Sequence, residues 1–483
     1  MPVLLLLVSA LAVAYLVVQR VQAWNRLRHI PGPRWCGWTN IWILRRAWGG
    51  SLYEDLGELC QQQGPLVRVA PNYVICGNPA EVRRMWGVRS EWDRSPWYKG
   101  FQLDPPRDCT LSMRDNALHT VLRSKLAPGY TGKGIEGLQE SVDTQVAKFI
   151  RLIESKYLST DTELRPVDIA RKVQYLTLDV ISTIAFGRAF GFLDKDGDLF
   201  DYVKTTEESL PLMQMIALLP GLVNVLQSRL FKAFLPSHTD VVGIAKEVVA
   251  ERYGPNKITK PDMLGSFVAH GLSQRDAEAE SLVQIVAGSD TTATTIRIAL
   301  LLLTTSPKTY TTLVSEIDRA ISQSRISSPV TDAEARALPY LQACIKECFR
   351  FWPPITGIMP RICPREAVVC EVFGGDAEVF SPGRWLGRRE FSQEQSNGEK
   401  EAERLNRMER TVELVFGQGK WGCLGKPISL LEINKVLVEL LRRFDFAILN
   451  PAHPMDTFNY GVSMQKRLYM KISRRTDITN ADL

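Results

Sequence analysis

Residues Phe416 to Gly425 read FGQGKWGCLG and place a single cysteine, Cys423, in a glycine-rich stretch. Glycines let the backbone adopt tight or left-handed conformations, so a flat ligand can approach the main chain closely. Lys426-Pro427 follow, and a proline in a first helical turn predicts that the apolar run Ile428 to Leu441 is a helix. Cys423 therefore precedes a helix N-terminus, where the helix dipole and free N–H groups favour the thiolate form that binds metals.

Two interpretations of Cys423 are open. A buried free cysteine in a turn is the ordinary role of any one of the nine cysteines. However, four residues occupy positions seven, six and four before Cys423 and two after it: Phe416, Gly417, Gly419 and Gly425. This pattern resembles the heme-ligand signature of the cytochrome P450 superfamily, notably of fungal members in secondary metabolism. The resemblance implies that Cys423 ligates the iron of heme b and that the four flanking residues contact this cofactor. The chain departs from the signature at Trp421, where the family often has a basic residue.

Composition excludes several classes of protein. The net charge of +6 is mild, and beyond the first 53 residues Lys and Arg are interspersed with Asp and Glu, so no nucleic-acid partner is predicted. The cysteines form no CxxC pair, which argues against a zinc site or a disulfide scaffold and fits a reducing compartment. Because no linker divides the later chain, residues 51–483 are predicted to form one catalytic domain.

The N-terminus has the features of a membrane anchor. Residues 1–19 are uncharged and mostly apolar, and a helix over them would span about 28 Å, close to the ~30 Å bilayer core. Residues 20–50 are basic and contain Pro31-Gly32-Pro33, a predicted hinge, and no acidic residue precedes Glu54. The positive-inside rule then predicts that the rest of the chain is cytoplasmic. We expect a single-pass protein of the endoplasmic reticulum membrane with a cytoplasmic catalytic domain. A cleaved secretory signal is the alternative.

Hydrophobic periodicity predicts a fold that is mainly α with minor β. A hairpin is expected between Leu66 and Ile75, with terminal strands between Phe444 and Ser473. The polar, low-complexity stretch Ser392 to Arg410 is predicted to be a surface excursion. The 3.6-residue period predicts helices over 114–126, 136–156, 167–187, 199–216, 239–253, 274–305, 307–322 and 337–351. The P450 resemblance implies the corresponding fold, as a single large domain behind the anchor.

The predicted helix over 274–305 contains the sequence AGSDTT. Gly288 and Thr291 share one face, so the missing side chain is expected to leave a gap beside the hydroxyl. In isolation, the Thr291 hydroxyl would bond a carbonyl one turn earlier. The stretch nevertheless resembles the oxygen-binding groove of the family. This implies catalytic roles for Thr291, beside the reacting oxygen, and for Asp290, which would link the site to a proton supply.

Glu347 and Arg350 form an E-x-x-R pair near the end of another predicted helix. A surface ion pair of this spacing contributes only about 0.2–0.5 kcal/mol. The neighbouring residues are apolar, which favours a buried pair. Together with Arg384 in the sequence SPGRW, the pair resembles the structural triad behind the cysteine loop of the family.

Three basic residues are candidates for binding the heme propionates. His119 and Arg123 lie four positions apart, on one helix face, and a solvated polar face is the alternative. The stretch HTVLRSKLAPGYT resembles the family helix over one heme edge, which implies that both residues bind propionate. Arg361 in GIMPRI resembles a further propionate contact. After it, only the twelve residues Arg361 to Val372 precede the run FGGDAEVFSPGRW, fewer than the family uses there. Either the variant is naturally short or a coding segment is missing.

The resemblance as a whole implies a membrane-anchored heme-thiolate monooxygenase. Such an enzyme inserts one atom of O2 into an apolar small molecule, here in secondary-metabolite biosynthesis, with NADPH electrons delivered by NADPH-cytochrome P450 reductase. Lys420 and Lys426 could help to dock this acidic partner. Two alternatives remain: a heme-thiolate isomerase or dehydratase, and a catalytically defective heme-binding protein, which the short stretch after Arg361 favours.

Overall fold

A computed structural model describes residues 2–104, 107–132, 135–221, 239–255, 257–362, 379–386 and 398–475. Most of these residues are helical. The helices are α1 Pro2–Leu27, α2 Ile41–Trp48, α3 Leu52–Gln63, α4 Pro79–Trp86, α5 Asn116–Tyr130, α6 Leu138–Leu152, α7 Ile169–Phe186, α8 Phe192–Lys195, α9 Tyr202–Leu218, α10 Thr239–Ala250, α11 Met263–Ala269, α12 Gln274–Thr304, α13 Pro307–Ser322, α14 Asp332–Arg336, α15 Pro339–Phe351, α16 Gly398–Val412 and α17 Lys426–Leu441. All eight predicted helices are present, with ends that differ from the prediction by at most four residues.

Four small antiparallel sheets accompany the helices in the described part of the chain. Their strands are β1 Leu66–Ala70, β2 Tyr73–Cys76, β3 Asp93–Arg94, β4 Val167–Asp168, β5 Arg361–Ile362, β6 Phe444–Ile448, β7 Asp456–Asn459, β8 Ser463–Lys466 and β9 Tyr469–Arg474. The sheet orders are β1-β2, β3-β5, β4-β9-β6 and β7-β8, and in the three-stranded sheet Phe446 pairs with Ile472. The predicted hairpin and terminal strands are confirmed. The class, mainly α with minor β, is confirmed as well.

Helix α12 is the centre of the molecule. It begins where the Ser273 side chain accepts a hydrogen bond from the backbone N–H of Asp276, and it packs against α7, α10, α15 and α17. By length and composition α12 could also span a membrane, but 78% of its apolar window is buried. It is therefore a core helix, and it carries the predicted catalytic residues through the middle of the fold.

The polar stretch from Ser392, predicted to be a surface excursion, is partly helical, and apart from Met408 its described side chains are exposed or half-buried. Residues 398–410 belong to α16, and residues 392–397 lie outside the described part. Met408 is fully buried in a cluster with Ala343 and Trp385. The partly buried Val412 packs against the same cluster, and Glu409 of α16 pairs with Lys346 of α15 at 2.5 Å, so these contacts hold the mostly polar helix against α15. Residues 363–378, which contain most of the short stretch after Arg361, also lie outside the described part.

Helix α1 is longer than the predicted anchor, and the apolar side chains that the structure describes between Val3 and Val21 are exposed, with Leu6 and Leu11 each 70% accessible. The segment Pro31-Gly32-Pro33 lies against β1, where the Arg68 backbone N–H donates to the Pro31 carbonyl at 2.7 Å. The Arg68 guanidinium also donates to the carbonyls of Ala23 and Trp24 at the end of α1. In this structure the predicted hinge is therefore held against the sheet.

Candidate functional site

The cysteine loop connects α16 to α17. Gly417 and Gly419 have φ values of 67° and 65°, and a Cβ at Gly419 would approach the Trp86 carbonyl oxygen to 2.4 Å. Side chains at these positions are therefore excluded by backbone strain and by the close approach of α4. The backbone N–H of Cys423 donates to the Phe416 carbonyl at 2.7 Å, which closes the loop. The predicted helix after the loop is present as α17.

Cys423 is exposed to a cavity of about 700 Å³ whose lining includes Arg123, Phe416 and Lys426. Burial raises the pKa of the Cys423 thiol. Hydrogen bonds from the backbone N–H groups of Gly425 and Lys426, and the positive charges of Arg123 and Lys426, act in the opposite direction and lower this pKa. The surroundings of the sulfur therefore contain the donors and charges that stabilise a thiolate.

Helix α12 places Gly288 and Thr291 differently from the prediction. A Cβ on Gly288 would lie 2.8 Å from the Ile181 side chain of α7, so the glycine lets the two helices pack closely. Because Ile181 occupies the space beside Gly288, the prediction of a gap beside the Thr291 hydroxyl was wrong. The Thr291 hydroxyl donates to the Ala287 carbonyl at 2.8 Å. This is the local hydrogen bond that the sequence offered as the alternative role of Thr291.

The Asp290 carboxyl points into a buried polar network. Its Oδ1 accepts a hydrogen bond from the side-chain amide of Gln174 of α7 at 2.5 Å, and the side-chain Oε1 of Gln174 accepts one from Arg297. Burial raises the pKa of Asp290 to about 6, while Gln174 and Arg297 act to lower it. Beside them lies a cavity of about 10 Å³ with Glu207 in its lining, space for roughly one water molecule. Sequence reasoning missed Gln174 and Arg297, because nothing in the local pattern joins α7 to α12.

The three triad residues lie in contact. Glu347, with a fully buried side chain, accepts hydrogen bonds from Arg350 at 2.9 and 2.8 Å and from Arg384 at 3.0 Å. Trp385 Nε1 and the Ser381 backbone N–H each donate to the same carboxylate at 2.8 Å. Sequence reasoning missed these two donors. The carboxylate thus joins α15 to the short segment that contains Arg384.

The structure brings His119 and Arg361 into one cluster of aromatic and basic side chains. The ring of His119 lies 4.0 Å from that of Trp421, and the guanidinium of Arg94 lies 3.8 Å from the Trp421 ring. Arg94 also lies 4.5 Å from the Tyr98 ring, and Arg361 donates to the Tyr98 hydroxyl. Sequence reasoning missed Arg94, for which the sequence holds no local signal.

The cluster carries excess positive charge. Burial, together with the charges of Arg94, Arg123 and Lys420, lowers the pKa of His119 to about 3, so its ring is neutral at pH 7. Burial lowers the pKa of Arg94 to about 10. Within the described residues, no carboxylate forms an ion pair with Arg94, Arg123 or Arg361. A buried group of cations without acids is a binding environment for anions.

Several buried polar atoms of this cluster also lack hydrogen-bond partners. Within the described part of the chain no hydrogen-bond partner is present for Nδ1 of His119, Nε of Arg94, Nε of Arg361 and Nε1 of Trp421. A cofactor that bears carboxylates and binds a thiolate through its metal would satisfy both this cluster and Cys423. The residues therefore fit heme. When bound, heme would supply the activation of O2, and the chain's own residues would hold it and move protons beside it.

Comparisons with known proteins identify the family of the chain. The family model described as Cytochrome P450 matches residues 29–373 and 370–472, two segments that meet where the sequence is short. The chain is 37% identical to cytochrome P450 monooxygenase ABA1 of Pyricularia oryzae, over 97% of this chain and 96% of the relative. It is 32% identical to cytochrome P450 monooxygenase aba1 of Botryotinia fuckeliana, over 92% of each protein. It is 27% identical to cytochrome P450 monooxygenase cicH of Emericella nidulans, over 99% of this chain and all of the relative.

The alignment with the Pyricularia relative has 505 positions, more than the 483 residues of this chain. The relative therefore contains segments that this chain lacks. The similarity nevertheless extends over nearly the whole of both sequences. A family match of this extent, together with relatives above 30% identity, shows that the chain belongs to the cytochrome P450 family and is an oxidoreductase of the P450 monooxygenase type.

Proposed function

We propose that this chain inserts one oxygen atom from O2 into an apolar small molecule in fungal secondary-metabolite biosynthesis, with heme b ligated by Cys423. The observation that carries the proposal is the Cys423 loop. Its sulfur receives two backbone N–H groups and lies near Arg123 and Lys426. The relatives are named as fungal monooxygenases, and the loop resembles that of secondary-metabolism members. Electrons would come from NADPH through NADPH-cytochrome P450 reductase.

The absorption spectrum of the reduced, carbon-monoxide-bound protein tests the ligand. The wild type should give the band of a thiolate-ligated heme, and Cys423→Ser should lose it because a neutral hydroxyl is a poor donor to ferrous iron. Cys60→Ser is the matched control, since Cys60 is a half-buried free cysteine outside the site. An unchanged band in Cys423→Ser would disprove the assignment of the ligand.

In this proposal Asp290 and Thr291 handle protons. The pKa of Asp290, about 6, allows the carboxyl to gain and lose a proton near neutral pH. Thr291 would exchange its bond to Ala287 for a contact with the reacting oxygen. His119, Arg123 and Arg361 would hold the propionates, with Phe416, Gly417, Gly419 and Gly425 beside the heme. Glu347, Arg350 and Arg384 would support the loop from behind.

The proposed partners are a membrane and the reductase. The exposed apolar side chains of α1 support a single-pass anchor in the endoplasmic reticulum membrane. Removal of residues 2–27 should move the protein from the membrane fraction to the soluble fraction, and retention in the membrane would contradict the proposal. Lys420 donates to the Ser90 carbonyl at 3.5 Å and Lys426 pairs with Glu413, so Lys420 is the better candidate for an acidic partner.

A second candidate, a catalytically defective heme protein, is favoured by the short stretch after Arg361 and by the alignment gaps. Turnover with reductase, NADPH and O2 separates the candidates. A monooxygenase converts substrate only when all three are present, and a heme-thiolate isomerase or dehydratase converts it without them. A defective protein shows the thiolate band and no turnover with any member of a panel of apolar compounds.

A further inference from the structure

Trp421, two residues before the iron ligand, is the least explained member of the basic cluster. Its indole packs between the elements that carry Arg94 and His119, at ring distances of 3.8 and 4.0 Å. Its Nε1 is buried and has no acceptor among the described residues. A buried donor without a partner needs a physical reason, because most buried polar groups in folded proteins are hydrogen-bonded.

The neighbours of the indole are held firmly. Arg94 is 6% exposed and donates to the carbonyls of Thr110, Leu111 and Met113 at 2.8 to 2.9 Å. His119 is 2% exposed on α5. A cation over an indole face and a second ring beside it restrict the rotation of the Trp421 side chain. Its N–H is therefore a preorganised donor.

The positive charge around Trp421 explains why a neutral hydrogen-bond donor suits this position. Arg94, Arg123, Arg361 and Lys420 already contribute positive charge to the cluster, and no described carboxylate balances the three arginines. Another cation two residues before Cys423 would add repulsion. An indole N–H supplies a hydrogen bond to an anion without this cost.

We propose that the Trp421 N–H donates a hydrogen bond to a carboxylate of the heme, and that Arg94 and His119 hold the indole for this contact. Trp421 is then a cofactor-binding residue and Arg94 a positioning residue. This inference rests on the heme-thiolate function proposed above and extends it. It assigns a role to the position at which the chain departs from the P450 signature.

The test uses the full-length holoenzyme with Trp421→Phe, which keeps an aromatic ring and removes the donor. Heme transfer to excess apomyoglobin should become about tenfold faster, the effect of losing one hydrogen bond to a charged group. The resonance Raman band of propionate bending should shift. Trp48→Phe, at a 64% exposed tryptophan, is the matched control and should change neither quantity.

A propionate band that does not shift in Trp421→Phe overturns the inference. This outcome covers the case in which the Trp421 N–H binds a carboxylate of the substrate and not of the heme. If Trp421→Phe yields no holoprotein, Trp421→Gln decides. Glutamine restores a neutral donor without the indole shape, so heme retention supports the inference, and loss of heme shows that Trp421 only packs. Failure of the proposed function is distinguishable, because the wild type itself would then lack the thiolate band.

Discussion

Thr291 and Asp290 are adjacent residues whose side chains have different partners. The Thr291 hydroxyl donates a hydrogen bond to a carbonyl of its own helix, and the Asp290 carboxyl accepts one from Gln174 of α7. A proton relay through both would require the threonine to leave its backbone acceptor. We therefore expect the local bond of Thr291 to be a resting arrangement that costs little to break, since a net protein hydrogen bond contributes about 0.5–1.5 kcal/mol.

Thr291→Ala should leave heme incorporation intact and lower the yield of product per NADPH consumed, because the relay lacks its hydroxyl. Thr291→Ser should restore most of the coupling. Thr295→Ala is the matched control, since Thr295 lies one turn later and bonds the Thr291 carbonyl at 3.2 Å. Equal coupling in the wild type and Thr291→Ala would make Thr291 a packing residue.

The raised pKa of Asp290 makes a prediction about stability. Its pKa is about 6 in the folded protein, against an ordinary value of 3.8. The folded state therefore binds more protons than the unfolded state between these values, and stability falls as pH rises through this window. Two pKa units correspond to about 3 kcal/mol at pH 7. Asp290→Asn removes this cost, because the amide does not ionise.

The measurement is the thermal midpoint of the wild type and Asp290→Asn at about pH 5 and about pH 7. The thermal midpoint of Asp290→Asn minus that of the wild type should be larger at pH 7 than at pH 5. The other charged neighbours of this network, including Glu207 and Arg171, are present in both proteins, so their contributions to the difference largely cancel. If this difference is smaller at pH 7 than at pH 5, the Arg297 charge lowers the pKa of Asp290 by more than burial raises it.

At the scale of elements, Glu347 is a fully buried polar connection of α15. One carboxylate joins this helix to Arg384 and Trp385 in the segment before α16. Glu347→Gln would remove the carboxylate charge that Arg350 and Arg384 contact, and breaking a buried pair in this way costs about 3–5 kcal/mol. We expect a lower thermal midpoint and a lower yield of holoprotein.

Glu163→Gln is the control for this variant. Glu163 pairs with Arg165 at 2.7 Å on the surface, where an ion pair contributes little. Its midpoint should equal that of the wild type. A Glu347→Gln protein as stable and as well loaded with heme as this control would show that the triad is dispensable for the loop.

The long helices were predictable, and the shortest elements were not. A 3.6-residue period repeats several times in α12 or α13, so their ends were placed within one residue. Strands β3 and β5 have two residues each, and β4 also has two. Two residues are too few to show the alternation of apolar and polar side chains that identifies a strand. Such strands therefore form only where the tertiary fold brings two backbone segments together. Helix α16 was missed because its sequence is almost entirely polar.

The short stretch after Arg361 is a property of the whole molecule. The two family-model segments meet at residues 370–373, and the relatives contain segments that this chain lacks. Missing strands would leave partner strands with unpaired N–H and C=O groups, each costing about 1–3 kcal/mol if buried. The triad can still form, because loop closure depends only weakly on length.

Insertion of a family-length segment after Pro364 should therefore raise both heme occupancy and the thermal midpoint. A glycine-serine insertion of equal length at the same point is the control, since it restores length without strands. If the unmodified chain is already as stable and as well loaded with heme as the insertion variant, the shortening is a tolerated natural variant, and the defective-protein candidate should be abandoned.

The sequence alone determined the features that depend on near neighbours. The spacing around Cys423, the helix after it and the E-x-x-R pair are all local, and local geometry follows from chain spacing. Only the tertiary structure decided which distant polar groups share a buried site. Arg94 meets Trp421, and Gln174 meets Asp290 and Arg297, because helices and loops far apart in the chain pack together. Such contacts depend on the three-dimensional arrangement of the core, which no short stretch of sequence encodes.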